Sequence, residues 1–136
     1  MTLCEIKTEV ERLAALIGAS ENYLPTYGHS EDGARPHLEI DARGYHYVVV
    51  ERGQELERLT TNDPDELLFN VFANVAFSLA CRYELTHRIE GQDFRRVLFR
   101  QQVALLARIS PRWGEREARR QESILREHPF ADDLGD

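Results

Sequence analysis

The sequence predicts an α+β fold, a small antiparallel sheet with helices segregated against it, on three observations. Apolar residues recur at three- and four-residue spacing over 2–17. They alternate at strand spacing over 36–60, and they return to helical spacing from 64 to about 128. No internal repeat and no low-complexity segment interrupts this order, so all 136 residues are expected to form a single domain.

The first helix rests on Leu3, Ile6, Val10, Leu13 and Leu16/Ile17, with Gly18 as its stop. Residues 19–35, ASENYLPTYGHSEDGAR, then form a turn-rich connection, longer than most loops inside a domain and of the kind that is often functional or mobile. From residue 36 the period changes. His37–Asp41 alternates, Asp41-Ala42-Arg43-Gly44 suits a type I turn with a bulge, and Tyr45–Val50 is β-branched and aromatic. Arg52-Gly53 turns again and Gln54–Thr60 alternates, which completes a three-stranded antiparallel meander. With three-residue loops at both turns, Leu38, Ile40, Val48, Val50 and Leu56 share one face, and Tyr45, Tyr47 and Val49 share the other.

Asp63-Pro64-Asp65-Glu66 reads as a helix start, with Asp at the cap, Pro at the first position and Glu at the third. The helix is expected to run to about Ile89. It is apolar around most of its circumference, with Asn70, Asn74 and Ser78 as one narrow polar stripe, and so is expected to be long, central, buried and packed on the sheet. Gly91 breaks it. Asp93 caps a helix from Phe94 to about Ile109, whose core side is Phe94, Val97, Leu98, Leu105 and Ile109. Ser110-Pro111 stops that helix and starts a last, highly charged one, anchored by Trp113, Ile124 and Leu125 and expected on the outside. The tail is expected to dock at Phe130 and to fray over 131–136.

Seventeen basic side chains face twenty-four acidic ones, a net charge of −7. That balance argues against general nucleic-acid binding, which draws its energy from neutralising phosphates, and favours a partner with a basic surface; acidity also simply keeps a protein in solution. Cys4 and Cys81 both fall in apolar helical patterns, as free buried thiols of a reducing compartment would. The N-terminus is too charged for a signal peptide, and the apolar run 67–81 is too short and too interrupted to span a membrane. The sequence is therefore read as a soluble cytoplasmic protein with no membrane partner.

Motifs for chemistry are scarce. The five histidines include no pair at the i, i+4 spacing of a zinc helix. His37 and His46 with Glu39 could in principle meet across a hairpin, but exposed histidines on a hairpin are far commoner than a metal site, and no metal is expected. There is no nucleophile elbow and no glycine-rich phosphate loop, and Cys81 and His87 are wrongly spaced for a pair on one helix face. No catalytic residue and no cofactor is expected. Two surfaces remain. Tyr45 and Tyr47, flanked by Glu39, Glu51, Glu55 and Glu57, make an aromatic–acidic patch suited to a basic partner, unless the first helix covers that face. The other is 83-YELTHRIEGQDFRR-96. Tyr83 and His87 continue the apolar stripe of Leu68, Phe72, Val75 and Leu79 toward the core. Glu84 and Arg88 pair at i, i+4, Asp93 caps, and Arg95 and Arg96 need an acidic partner such as Glu84 or Glu90. Tyr83, Glu84, His87, Arg88, Asp93 and Arg96 read as a structural polar joint between two helices. The competing readings are an acid–base site around His87 and a partner-binding edge.

The strings YHYVVVERGQE (45–55), TTNDPDELL (60–68) and YELTHRIEGQDFRRVLFRQQ (83–102), the surroundings of Trp113 and HPF (128–130) resemble the immunity protein 63 family over about residues 35–130. These are bacterial proteins inferred to neutralise toxins of polymorphic toxin systems. The resemblance implies binding rather than catalysis, with a cognate toxin as partner, and carries over no catalytic or ligand residue. The alternatives are a small hydrolase-like enzyme using His87 with Glu84 and Arg88, and a non-catalytic dimeric interaction module.

Overall fold

A computed structural model describes residues 1–133, and the fold is α+β. Helix α1 spans Leu3–Leu16, α2 Pro64–Thr86, α3 Arg95–Ile109 and α4 Pro111–Glu127. The strands are β1, Thr26–Tyr27; β2, His37–Asp41; β3, Gly44–Glu51; and β4, Gln54–Thr61. They form one sheet in the order β1-β2-β3-β4. The chain divides into two compact units, Met1–Phe72 and Ala73–Asp136, with the boundary inside α2.

In the first unit α1 starts with a capping box. The Thr2 hydroxyl accepts from the Glu5 amide and the Glu5 carboxylate accepts from the Thr2 amide. Ile6, Val10, Leu13 and Ala14 form its buried side. Gly18 takes φ +66 just after the helix, as its stop requires. Cys4, expected to be buried, is exposed.

The sheet has four strands where three were expected. The extra one is the short β1, which lies inside the connection 19–35 and pairs parallel with His37 and Leu38. Two residues are too few to show a strand period in sequence. The rest of the connection is also held: Gly33 bridges to Glu51, the Ala34 amide donates to the Val50 carbonyl, and the Gly53 amide donates to Asp32 Oδ1.

The register departs from expectation by one residue. Asp41 pairs with Gly44, so only Ala42 and Arg43 connect β2 and β3, and Leu38 and Ile40 lie opposite Tyr47 and Tyr45. The two tyrosines therefore share the face of Leu38 and Ile40, while Val48 joins His37, Glu39 and His46 on the other. Gly44 makes the tight return possible. Its φ is +126, and a Cβ there would stand 2.6 Å from both the Thr61 carbonyl and Asn62 Oδ1. The second turn, Arg52-Gly53, has positive φ at both positions, the geometry of a type I′ hairpin. A bulge at Val49/Val50 leaves Leu56 without a direct partner. Leu38 is wholly buried, α1 packs on β2, and the Met1 ammonium donates to the Tyr45 hydroxyl at 2.7 Å.

Asp63 opens α2 as predicted, its Oδ1 accepting from the Asp65 amide. Leu67, Leu68, Phe69, Val71 and Phe72 are buried in the half that belongs to the first unit. In the second unit Val75, Ala76, Ala80 and Glu84 continue the buried side, whereas Phe77, Tyr83 and Leu85 are exposed. The helix ends at Thr86, three residues short of the expected Ile89.

Helices α3 and α4 pack closely. Gly114 marks the crossing: a Cβ there would stand 2.7 Å from the Cβ of Ala107. Val97, Leu98, Leu105, Leu106 and Trp113 are buried, but Phe94, expected in the core, is 56% exposed. A polar layer that the sequence does not announce lies on the inner side of α4. Glu117 and Gln121 are buried; Arg120 holds the Glu117 carboxylate, and Gln121 donates to the Phe99 carbonyl and to Glu117. Ser110 contributes its carbonyl rather than its side chain to the restart, accepting from the Trp113 and Gly114 amides.

Candidate functional site

The stretch 83–96 folds into the end of α2, a turn at Gly91 and the start of α3, and the chain near its C-terminus is strapped across it. Asp93 is the hub. Its carboxylate accepts from the Arg95 side chain and amide and from the Ala131 amide. The Arg95 guanidinium, above all, with the two amides, holds that carboxyl well below the usual carboxylate range. Arg95 also donates to the carbonyls of His128 and Pro129. Arg96 makes a two-pronged pair with Asp132 and lies 4.1 Å from the centre of the Phe130 ring, and the Asp93 amide donates to Asp132. The partners of Arg95 and Arg96 are thus Asp93 and Asp132, not Glu84 and Glu90. Ala131 and Asp132 are tied down where fraying was expected, and 134–136 lie outside the described residues. Gly91, φ +80, lets the Asp133 carbonyl approach to 2.7 Å of where a Cβ would be.

Earlier in the stretch the helical face is rotated from the expected one. Glu84, not Tyr83 or His87, is buried, and Arg88 covers its carboxylate at 3.0 Å. Tyr83 and His87 are exposed and stack on each other, ring centres 3.7 Å apart and nearly parallel. His87 Nδ1 donates to the Tyr83 carbonyl at 2.8 Å. Of the three residues of the acid–base reading, Glu84 is thus taken by Arg88, and His87 is turned to Tyr83. Burial, with the charge of Glu84, pushes the Cys81 thiol up, which favours its protonated form.

The aromatic–acidic patch is not assembled as drawn from sequence. Tyr45 and Tyr47 are buried on the face of Leu38. Glu39 is on the opposite face, where it meets Arg58. Glu51, Glu55 and Glu57 are exposed along the outer hairpin, Glu55 paired with Arg58 and Glu57 opposite Val49. His37, Glu39 and His46 do share a face, but His46 is occupied: Nε2 donates to Asp41 at 2.7 Å and Nδ1 stands 2.8 Å from the Thr60 hydroxyl. Among the described residues no group of three His, Cys, Asp or Glu is placed to hold a metal ion.

Two cavities accompany these features. One, of about 520 Å³, lies at the joint and is walled by Glu84, Arg88, Ile89, Glu90, Gln92, Asp93, Phe94 and Arg95. The other, of about 570 Å³, lies between α1 and the 19–35 connection, with Lys7, Glu11, Tyr27 and Arg35 in its wall. Burial pushes the Tyr27 hydroxyl up to about 12, with Glu11 adding to the shift. Sequence reasoning missed both cavities. Ile89, expected to end its helix, and Phe94, expected on the core side of the next, are both exposed at the first.

The immunity protein 63 family matches residues 41–123, more than half of the chain. The chain belongs to that family. The match lies within the span 35–130 of the resemblance, and takes in the β3–β4 hairpin, the stretch 83–96 and the α3–α4 crossing. Neither a curated protein nor a solved structure matches the chain. Membership gives it an immunity function in general. Among the described residues no helix is long and apolar enough to cross a membrane.

Proposed function

We propose that this chain neutralises one cognate toxin of a bacterial polymorphic toxin system by binding it, in the cytoplasm of the producing cell and without catalysis of its own. The observation that carries this reading is the family match over residues 41–123. The charge distribution supports a basic partner. Residues 1–72 hold six basic and fourteen acidic side chains, whereas 73–136 hold eleven and ten, so the whole acidic excess belongs to the first unit. Exposed carboxylates such as Glu51, Glu55 and Glu57 would speed encounter with a positively charged toxin surface, an effect that salt screens. The test is co-expression with the toxin encoded in the adjacent open reading frame. Growth should be rescued by this chain and not by an unrelated immunity protein, and the association rate should fall as salt rises. Failure to rescue overturns the reading; rescue with a salt-independent association rate overturns its electrostatic part.

A further inference from the structure

The cavity at the α2–α3 joint carries acceptors that no side chain of the fold meets. Its two arginines are turned to other groups: Arg88 donates through Nε and Nη2 to Glu84, and Arg95 donates to Asp93 and to the carbonyls of His128 and Pro129. The carboxylates of Glu84 and Asp93 are satisfied by those same arginines. Two other lining residues offer acceptors. Gln92 has a buried Oε1 with no hydrogen-bond partner, and Glu90, in the same lining, is exposed. A buried acceptor left unpaired costs stability, and such a group in a native fold calls for a donor. The rim is apolar, with Ile89 54% and Phe94 56% exposed. Apolar stem contacts below a donor head describe a lysine or arginine side chain, and the Phe94 ring would favour the cation as well.

We propose that this cavity is the anchor socket for the toxin, and that it receives a basic side chain projecting from the toxin's surface. The inference rests on the immunity reading above and names the surface and the partner chemistry. The socket is held open before binding. Gly91 is set against the Asp133 carbonyl, and Asp93 is pinned by Arg95 and Ala131, so its wall needs little further ordering when the partner arrives. A central pocket with a few dominant contacts is also how binding energy is commonly distributed across an interface.

The test measures the dissociation constant between the whole chain and an inactivated form of the toxin encoded in the adjacent open reading frame. Glu90→Lys places a like charge where the basic head would sit, and Phe94→Ala removes the rim; each should weaken binding by roughly tenfold or more. Glu90→Gln should weaken it less than Glu90→Lys. Leu56→Ala, an exposed residue of β4, should leave it within about twofold. Thermal melts check folding, and Glu90→Lys carries the test if Phe94→Ala softens the fold. A complex with the parent chain that survives both socket variants unchanged overturns the socket and leaves the immunity reading standing. No complex with the parent chain overturns both.

Discussion

Replacing Gly114 by alanine probes the α3–α4 crossing with a single carbon atom. In an exposed helix the change would stabilise, because alanine is favoured over glycine by about 1 kcal/mol. Here the new Cβ would stand 2.7 Å from the Cβ of Ala107, 3.0 Å from its Cα and 3.3 Å from its amide nitrogen. Carbon atoms are comfortable at about 3.5–4.0 Å, so the helices must part by about 1 Å. Two of the three atoms met are α3 backbone, which cannot rotate away. Overpacking of this kind costs about 1–3 kcal/mol, leaving a net loss of about 0–2 kcal/mol after the propensity gain. In a chain of this size that lowers the thermal midpoint by roughly 3–5 °C for each kcal/mol. Separation would also strain the Gln121–Phe99 hydrogen bond, which bridges the same pair of helices. The assay is thermal and urea unfolding of the parent, Gly114→Ala, Ala107→Gly and the double variant. The double variant should be more stable than additivity predicts, by about 1 kcal/mol, since one of the colliding atoms is gone. A Gly114→Ala variant that melts above the parent would refute the close crossing.

Acid should loosen the C-terminal strap. Asp93 and Asp132 both have folded-state values depressed below the usual carboxylate range, chiefly by Arg95 and Arg96. Their contribution is therefore fully present above about pH 4, where unfolded carboxylates ionise, and is lost as pH falls through the lower folded values. Hydrogen exchange at the Ala131 and Asp93 amides should keep its structural protection from pH 7 to about pH 4 and lose it below; loss already at pH 6 would contradict the assignment. Arg120→Ala strands the buried Glu117 carboxylate with Gln121 alone, so it should destabilise by about 1–3 kcal/mol in urea unfolding, well beyond an exposed helix ion pair. A loss below about 0.5 kcal/mol would mean that Glu117 does not depend on it.

The elements were legible wherever several turns or alternations repeated a signal. The stripe Leu3–Ile6–Val10–Leu13 and the start Asp63-Pro64 each specified a helix, and both hairpins were readable from their glycines. What depended on one residue was not legible. The face assignment of the sheet turned on whether two or three residues connect Asp41 to Gly44, and a shift of one put Tyr45 and Tyr47 on the face of Leu38 and Ile40 rather than on the opposite one. The face of α2 near its end turned on about 100° per residue, so Glu84 took the place expected for Tyr83 and His87. Partnerships distant in sequence left no local trace. Nothing in 83–96 reveals that Arg96 meets Asp132, thirty-six residues on, though an aromatic–acidic tail, Phe130 followed by Asp132, was the available hint. Arg95 and Arg96, expected to meet Glu84 or Glu90, instead close on Asp93 and Asp132.

The central claim is that the chain acts by occupying a toxin rather than by turning anything over. It is tested most directly by titrating the active toxin with increasing amounts of this chain and measuring residual toxin activity at several incubation times. Binding predicts a linear fall to an end point at a fixed stoichiometric ratio, the same at every time once mixing is complete. Inactivation by substoichiometric amounts of the chain, progressing with time, would contradict it and restore an enzymatic reading.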